Sequence, residues 1–358
     1  MVLSNRSQSR SLKLVNFAIA NLPMKPFKTC TTLTAGGTLI FAFSLMSPQT
    51  IMAFGAYGTS GLAGGYRWDA APRSVSGWER SLDGGLRYSL QGGSWQAYRD
   101  SFAWSSVPSV ADFQSAVQSA FGFWQAVDPV SSLGTMLSFN LDLATPVNAT
   151  VSGNLRLGAE IDLFAFNFGD TGLHADTFFN AGGSTVKLTS GTVNYVAGAI
   201  QGADVRMNAN PSALWTLQVF KGVLTHEIGH SIGLADVDTQ AGPGGYFIDD
   251  NYNGSTSATA LSTLTNPFAH LINILNPAAS AGLSTYFVAN GNPGVDTPGV
   301  EIMMESAISG FLIGNPGLRN DDFAGRQFLY PIPEPATATL LGLGVLALLY
   351  RKRNSRSL

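Results

Sequence analysis

Cysteine is nearly absent. The chain has 358 residues and one cysteine, Cys30, so no disulfide can form within it and thiol chemistry has a single candidate. Charge is scarce as well: Asp, Glu, Lys and Arg make up 12% of the residues, well below the usual fraction of roughly a quarter. Histidine occurs four times, and the first 53 residues hold no acidic side chain. Long apolar runs are confined to the two ends. At the first, Arg6, Arg10, Lys13, Lys25 and Lys28 precede an apolar run from Leu33 to Met46, and Ala53 closes a stretch that a signal peptidase could cut. Gly36 and Gly37 interrupt this run, which is short for a membrane span. Residues 1–53 therefore read as a cleaved secretory signal rather than an anchor, with Met24 as a start that gives a signal of ordinary length. Cys30 leaves with it, so the mature part carries no thiol chemistry.

At the other end, Pro333-Glu334-Pro335 is followed by an apolar segment from Ala336 to Tyr350 and by Arg351, Lys352, Arg353 and Arg356. The positive-inside rule keeps these cations on the cytoplasmic side and leaves the Pro-Glu-Pro tripeptide outside the inner membrane. Residues 332–358 resemble the PEP-CTERM sorting signal. The resemblance implies transient inner-membrane tethering, recognition by an exosortase-type enzyme, and release to the surface or extracellular matrix of a Gram-negative cell.

Between these segments, residues 54–331 carry 22 acidic and 11 basic side chains. Such a surface excludes nucleic acid as a partner, because affinity for phosphate backbones needs clustered Lys and Arg. No repeat at solenoid or propeller spacing occurs. Oligomeric state leaves no trace in the sequence.

The pattern of the body is mixed α+β. Leu86 to Leu90 alternates as a strand after the turn Asp83-Gly84-Gly85. From Val110 to Val127, Phe113, Ala116, Val117, Ala120, Phe121 and Trp124 recur at helical spacing, and Asp128-Pro129 ends the run. Strands are expected at 136–143, 160–168, 192–200 and 203–207. Asn210-Pro211 reads as the cap and first position of a helix that Leu217, Phe220, Val223, Leu224, Ile228 and Ile232 continue.

That helix carries His226-Glu227-Ile228-Gly229-His230. Histidines four apart emerge from one helical face and can grip one ion, while Glu227 is turned aside. A catalytic zinc takes three protein ligands and leaves a position to water. Gly233 sits where the helix must stop and the chain turn sharply, a job for a residue that tolerates positive φ. That turn brings Asp236 back as the third candidate ligand. Its other reading is an acid that caps the turn or orients a histidine. His174 and His270 are the competing imidazoles.

Residues 226–236 resemble the metzincin peptidases, matrixins and snapalysins in particular. The usual third histidine of that pattern is Asp236 here, as in the snapalysin group. The sequence Glu301-Ile302-Met303-Met304-Glu305 resembles the family methionine turn, with Met303 aligned best and Glu305 in place of a common proline. Leu318 to Tyr330 is also matrixin-like, and the acids matching Asp321 and Asp322 are structural in that family. The resemblance implies an α+β catalytic domain over 54–331: a twisted mixed sheet, a long N-terminal helix, an active-site helix, a Met-turn and a C-terminal helix, with an insertion around 238–298. It also implies a zinc endopeptidase in which Glu227 acts as general base and then acid on a protein or peptide substrate. Leu173 to Phe179 is the candidate edge strand for an extended substrate.

Within the insertion, Asp249, Asn251 and Asn253 echo the first half of a calcium loop, but position twelve is Ala260 rather than a bidentate acid. An Asx-rich turn is the competing reading. Two other functions stay open: a surface or matrix protein that keeps the scaffold for adhesion without cutting, and a zinc hydrolase acting on something other than peptide.

Overall fold

Short β-branched and aromatic runs separated by glycine turns assemble into a mixed sheet, against which the two longest helices bury their apolar faces. The computed structural model describes residues 54–57, 66–129, 132–169, 172–182, 185–188, 191–194, 198–236, 245–248, 285–286, 302–305 and 316–330. In chain order these form β1 (Phe54–Tyr57), β2 (Ser74–Val75), β3 (Trp78–Glu79), β4 (Leu86–Leu90), α1 (Trp95–Arg99), α2 (Val110–Gln125), β5 (Phe139–Leu141), β6 (Val151–Ser152) and β7 (Leu155–Arg156). There follow β8 (Ile161–Phe166), β9 (Ala175–Gly182), β10 (Thr185–Leu188), β11 (Gly191–Asn194), β12 (Ala199–Asn208), α3 (Leu217–Ser231), β13 (Leu234–Ala235), β14 (Gly245–Ile248), β15 (Thr285–Tyr286) and α4 (Asn320–Leu329).

The main sheet has the order β5-β4-β8-β12-β9. Its first four strands run parallel, and β9 returns antiparallel along β12 as an edge. The α+β class and mixed sheet thus agree with the sequence pattern, and the segment expected as an edge lies on one. A smaller antiparallel sheet, β13-β1-β14-β15, sits beside the end of α3.

Helix α2 begins at the cap Ser109, whose hydroxyl accepts from the Asp112 amide, and buries the expected face of Phe113, Ala116, Val117, Ala120, Phe121 and Trp124. Phe121 stacks on Tyr88 of β4 with centroids 4.1 Å apart. The Trp124 indole donates to the Thr225 carbonyl at 2.8 Å, which ties α2 to α3. From α4, the buried Arg326 guanidinium donates to the Ala126 carbonyl at the end of α2.

Four boundaries depart from the sequence expectation. The run 136–143 contributes only Phe139–Leu141 to the sheet. The strand expected at 160–168 is Ile161–Phe166, because Glu160 turns inward to Arg80 and Arg87. The strands expected at 192–200 and 203–207 are instead β11 and a continuous β12, whose register shifts between Ile200 and Ala203. Asn210-Pro211 does not start the helix that carries His226 and His230. Asn210 Oδ1 accepts from the Ser212 amide in a local turn, and Trp215 pairs with Trp104 while its indole donates to Asn208 O at 2.7 Å. This docked tryptophan holds the chain extended until Thr216, whose hydroxyl caps the helix by accepting from the Val219 amide.

Among the described residues no helix is long and apolar enough to cross a membrane.

Candidate metal centre

Helix α3 is buried continuously from Gly222 to Ser231, so it runs through the interior. Such a path needs small residues where neighbours come close. A Cβ at Gly229 would overlap the Met304 sulfur and press on the Trp124 ring. Trp124 is held by its bond to Thr225 and cannot step back. Gly→Ala in an open helix gains about 1 kcal/mol. Here Gly229→Ala is expected to reverse that sign and cost about 1–3 kcal/mol through overpacking. A lower urea midpoint with an unchanged slope is the signature.

The helix ends at Ile232, and Gly233 follows with φ +101°. Its amide donates to His230 O at 2.9 Å, and its carbonyl accepts from the Tyr57 amide at 2.9 Å. The chain then enters β13, which pairs with β1, and Asp236 follows directly. Trp68 and Tyr330 clamp the same corner. The Trp68 indole donates to Ser231 O at 3.0 Å, and the Tyr330 hydroxyl donates to Ile232 O at 2.6 Å.

This turn brings His226, His230 and Asp236 together, with one ligand atom from each within 4.8 Å of the others. Nε2 of His226 and Nε2 of His230 each lie 3.2 Å from the same Asp236 oxygen, Oδ1. The far ring nitrogens are anchored: His226 Nδ1 lies 2.7 Å from Met303 O, and His230 Nδ1 lies 2.8 Å from Leu234 O. A carbonyl can only accept, so each Nδ1 carries a proton and each Nε2 of a neutral ring presents its lone pair inward. Among the described residues, the buried His226 Nε2 makes no hydrogen bond despite its nearness to Asp236. Two lone pairs converging on a carboxylate oxygen repel unless a cation lies between them, so this donor set fits a divalent metal.

Without a cation, protons meet the demand. Burial opposes the charged imidazole, but Asp236 and then Glu227 outweigh it and lift His230 to about 9. Burial likewise opposes the Asp236 carboxylate, yet the two histidines hold it well below the usual range.

Glu227 is buried beside this trio, and burial pushes its carboxyl upward while His230, His226 and Thr177 draw it down. Its Oε2 accepts from the Thr177 hydroxyl of β9 at 2.7 Å. Residues 302–305 are all buried. Met303 supplies the carbonyl beneath His226, and Met304 supplies the side chain beneath Gly229. Asp322 of α4 fixes this turn by accepting from the amides of Met303 at 2.9 Å and Met304 at 3.1 Å, and from Arg319 at 2.8 Å.

His174 does not join the group; its ring packs edge-on against Trp215 at 5.4 Å. His270 and the loop of Asp249, Asn251 and Asn253 lie outside the described residues, as does the side chain of Asp321. Sequence reasoning passed over Thr177, whose segment was read only as an edge, and Tyr57, whose ring lies 5.7 Å from that of His230. Neither carries a local signal, because each reaches the site from a distant strand.

A family model for the PEP-CTERM protein-sorting motif matches residues 331–353. No curated protein matches the chain. This motif is the kind that exosortase-type sorting enzymes recognise, and it indicates export and sorting to the cell envelope or surface.

Proposed function

We propose that this chain is an exported zinc-dependent endopeptidase with a metzincin-like catalytic domain, in which His226, His230 and Asp236 hold the metal and Glu227 moves the proton. One observation carries the reading: both inward Nε2 atoms meet a single carboxylate oxygen, each ring being fixed by a carbonyl behind it. A buried carboxylate that follows directly on the first of these histidines supports catalysis over a purely structural metal site.

When bound, zinc would supply Lewis-acid polarisation of the scissile carbonyl and acidify a water molecule. The protein's own residues do the rest. Glu227 accepts the proton of the attacking water on a carboxylate oxygen and returns it to the leaving amine, so one group serves as base and then acid. Asp236 offsets part of the metal's charge, which makes the centre a milder Lewis acid than three neutral imidazoles would. Among the described residues β9 is the last strand of the sheet, and its outer edge offers main-chain groups to an extended peptide. Cleavage of an unfolded protein substrate that is lost on chelation and restored by zinc tests the reading. Absence of cleavage in zinc-replete protein across a broad substrate panel would favour a non-cutting surface scaffold.

The proton on His230 sets the pH dependence. Its folded pKa is raised above the unfolded value, so in metal-free protein the ion pair with Asp236 stabilises fully below about 6.5. That contribution is lost as pH rises through about 9. Zinc must displace this proton, so apparent affinity is expected to rise about tenfold per pH unit between pH 7 and 8. Competition titrations against a chromogenic chelator read the slope.

A further inference from the structure

We propose that Thr177 is a positioning residue for Glu227: its hydroxyl holds Oε2 and so leaves Oε1 as the oxygen that handles the proton of the attacking water. This rests on the peptidase reading above. Thr177 sits in β9, buried, with its backbone in register with Val205 of β12. Its neighbour Asp176 is engaged by Arg206 within the same strand pair. Threonine is stiff at χ1, so a fixed strand fixes the hydroxyl too.

That hydroxyl lies 2.7 Å from Glu227 Oε2 and 3.1 Å from the Glu227 backbone carbonyl. It has one proton for two acceptors, and the nearer, charged one takes it. The carboxylate of α3 is thereby pinned to the substrate-edge strand of the sheet. A carboxylate free to rotate would divide its time between productive and unproductive orientations. Small misplacements of a reacting group are costly, up to about a hundredfold for 1 Å.

The test uses the zinc-loaded full chain as wild type, Thr177→Val and Thr177→Ser, with steady-state kinetics on one peptide and zinc content measured for each. Val keeps the shape and removes the donor. Its kcat is expected to fall about ten- to a hundredfold, with KM within about twofold and zinc content unchanged. Ser is expected to recover kcat to within about threefold of wild type, since it restores the donor. A Val variant with wild-type kcat, or a loss that Ser fails to repair, would overturn the assignment. Melting of the metal-free chain gives a second readout. Thr177→Val should lower the melting temperature more in the wild-type background than in a Glu227→Ala background, where only the residue-227 backbone carbonyl is left to accept from the hydroxyl. Equal losses in both backgrounds would also overturn it. A wild-type chain that cuts nothing while this coupling persists would sink the peptidase reading and support the Thr177–Glu227 contact.

Discussion

Glu227→Gln is expected to lower kcat by roughly 10²–10⁴-fold while zinc content stays at the wild-type level. Glutamine matches glutamate in shape, and its amide oxygen can still accept from the Thr177 hydroxyl that now holds Oε2. The packing of α3 and the three candidate ligands are therefore undisturbed. What disappears is a basic oxygen able to take a proton and give it back. Substrate binding is expected to persist, so KM should move much less than kcat. A variant that lost zinc along with activity would show Glu227 to be part of the metal's support rather than a proton carrier. One that kept full activity would remove it from the mechanism.

Gly233→Ala is expected to damage both the fold and the metal site. At φ +101° any residue with a Cβ is strained, and the new atom would overlap the Tyr66 carbonyl oxygen. Strain at such a position and a clash with backbone together are expected to cost about 3 kcal/mol or more. For a domain of this size that corresponds to roughly 6 °C or more in melting temperature. The larger consequence is local. Gly233 links His230 to the strand that precedes Asp236, and its carbonyl receives the Tyr57 amide. A shifted turn moves the third candidate ligand relative to the other two. Zinc affinity should fall even at temperatures where the protein remains folded, and competition with a chelator measures this. Gly229→Ala is the contrasting case, because there the candidate ligands keep their turn and only Met304 and Trp124 must yield.

Much of the site was legible because its chemistry is local in sequence. His226 and His230 share a helical face by spacing alone, and the positive φ at Gly233 follows from the need to stop that helix. The apolar face of α2 was equally plain, since six buried residues repeat at helical intervals. The start of α3 was not. Asn210-Pro211 is a good opening for a helix in isolation, but the Trp215–Trp104 pairing and the indole bond to Asn208 hold the chain extended for several more residues. Strand limits failed for the same reason, as with Glu160, where buried Arg80 and half-buried Arg87 pull a residue out of its expected strand. Thr177 and Asp322 act on the site across 50 and 18–19 residues of chain. For Asp322 the resemblance to matrixins indicated a structural role, and its bonds to the Met303 and Met304 amides are of that kind. For Thr177 no pattern in the chain pointed to Glu227. Only the packing of β9 against α3 brings the two together.

Zinc X-ray absorption on the zinc-loaded full chain tests the central claim most directly. One tightly held zinc per chain is expected, with nitrogen and oxygen neighbours at about 2.0–2.2 Å. The outer-shell scattering should correspond to two imidazoles, and the oxygen contribution should change in Asp236→Ala. A spectrum with no imidazole scattering, or one with two imidazoles that is unaltered by Asp236→Ala, would contradict the three-ligand centre.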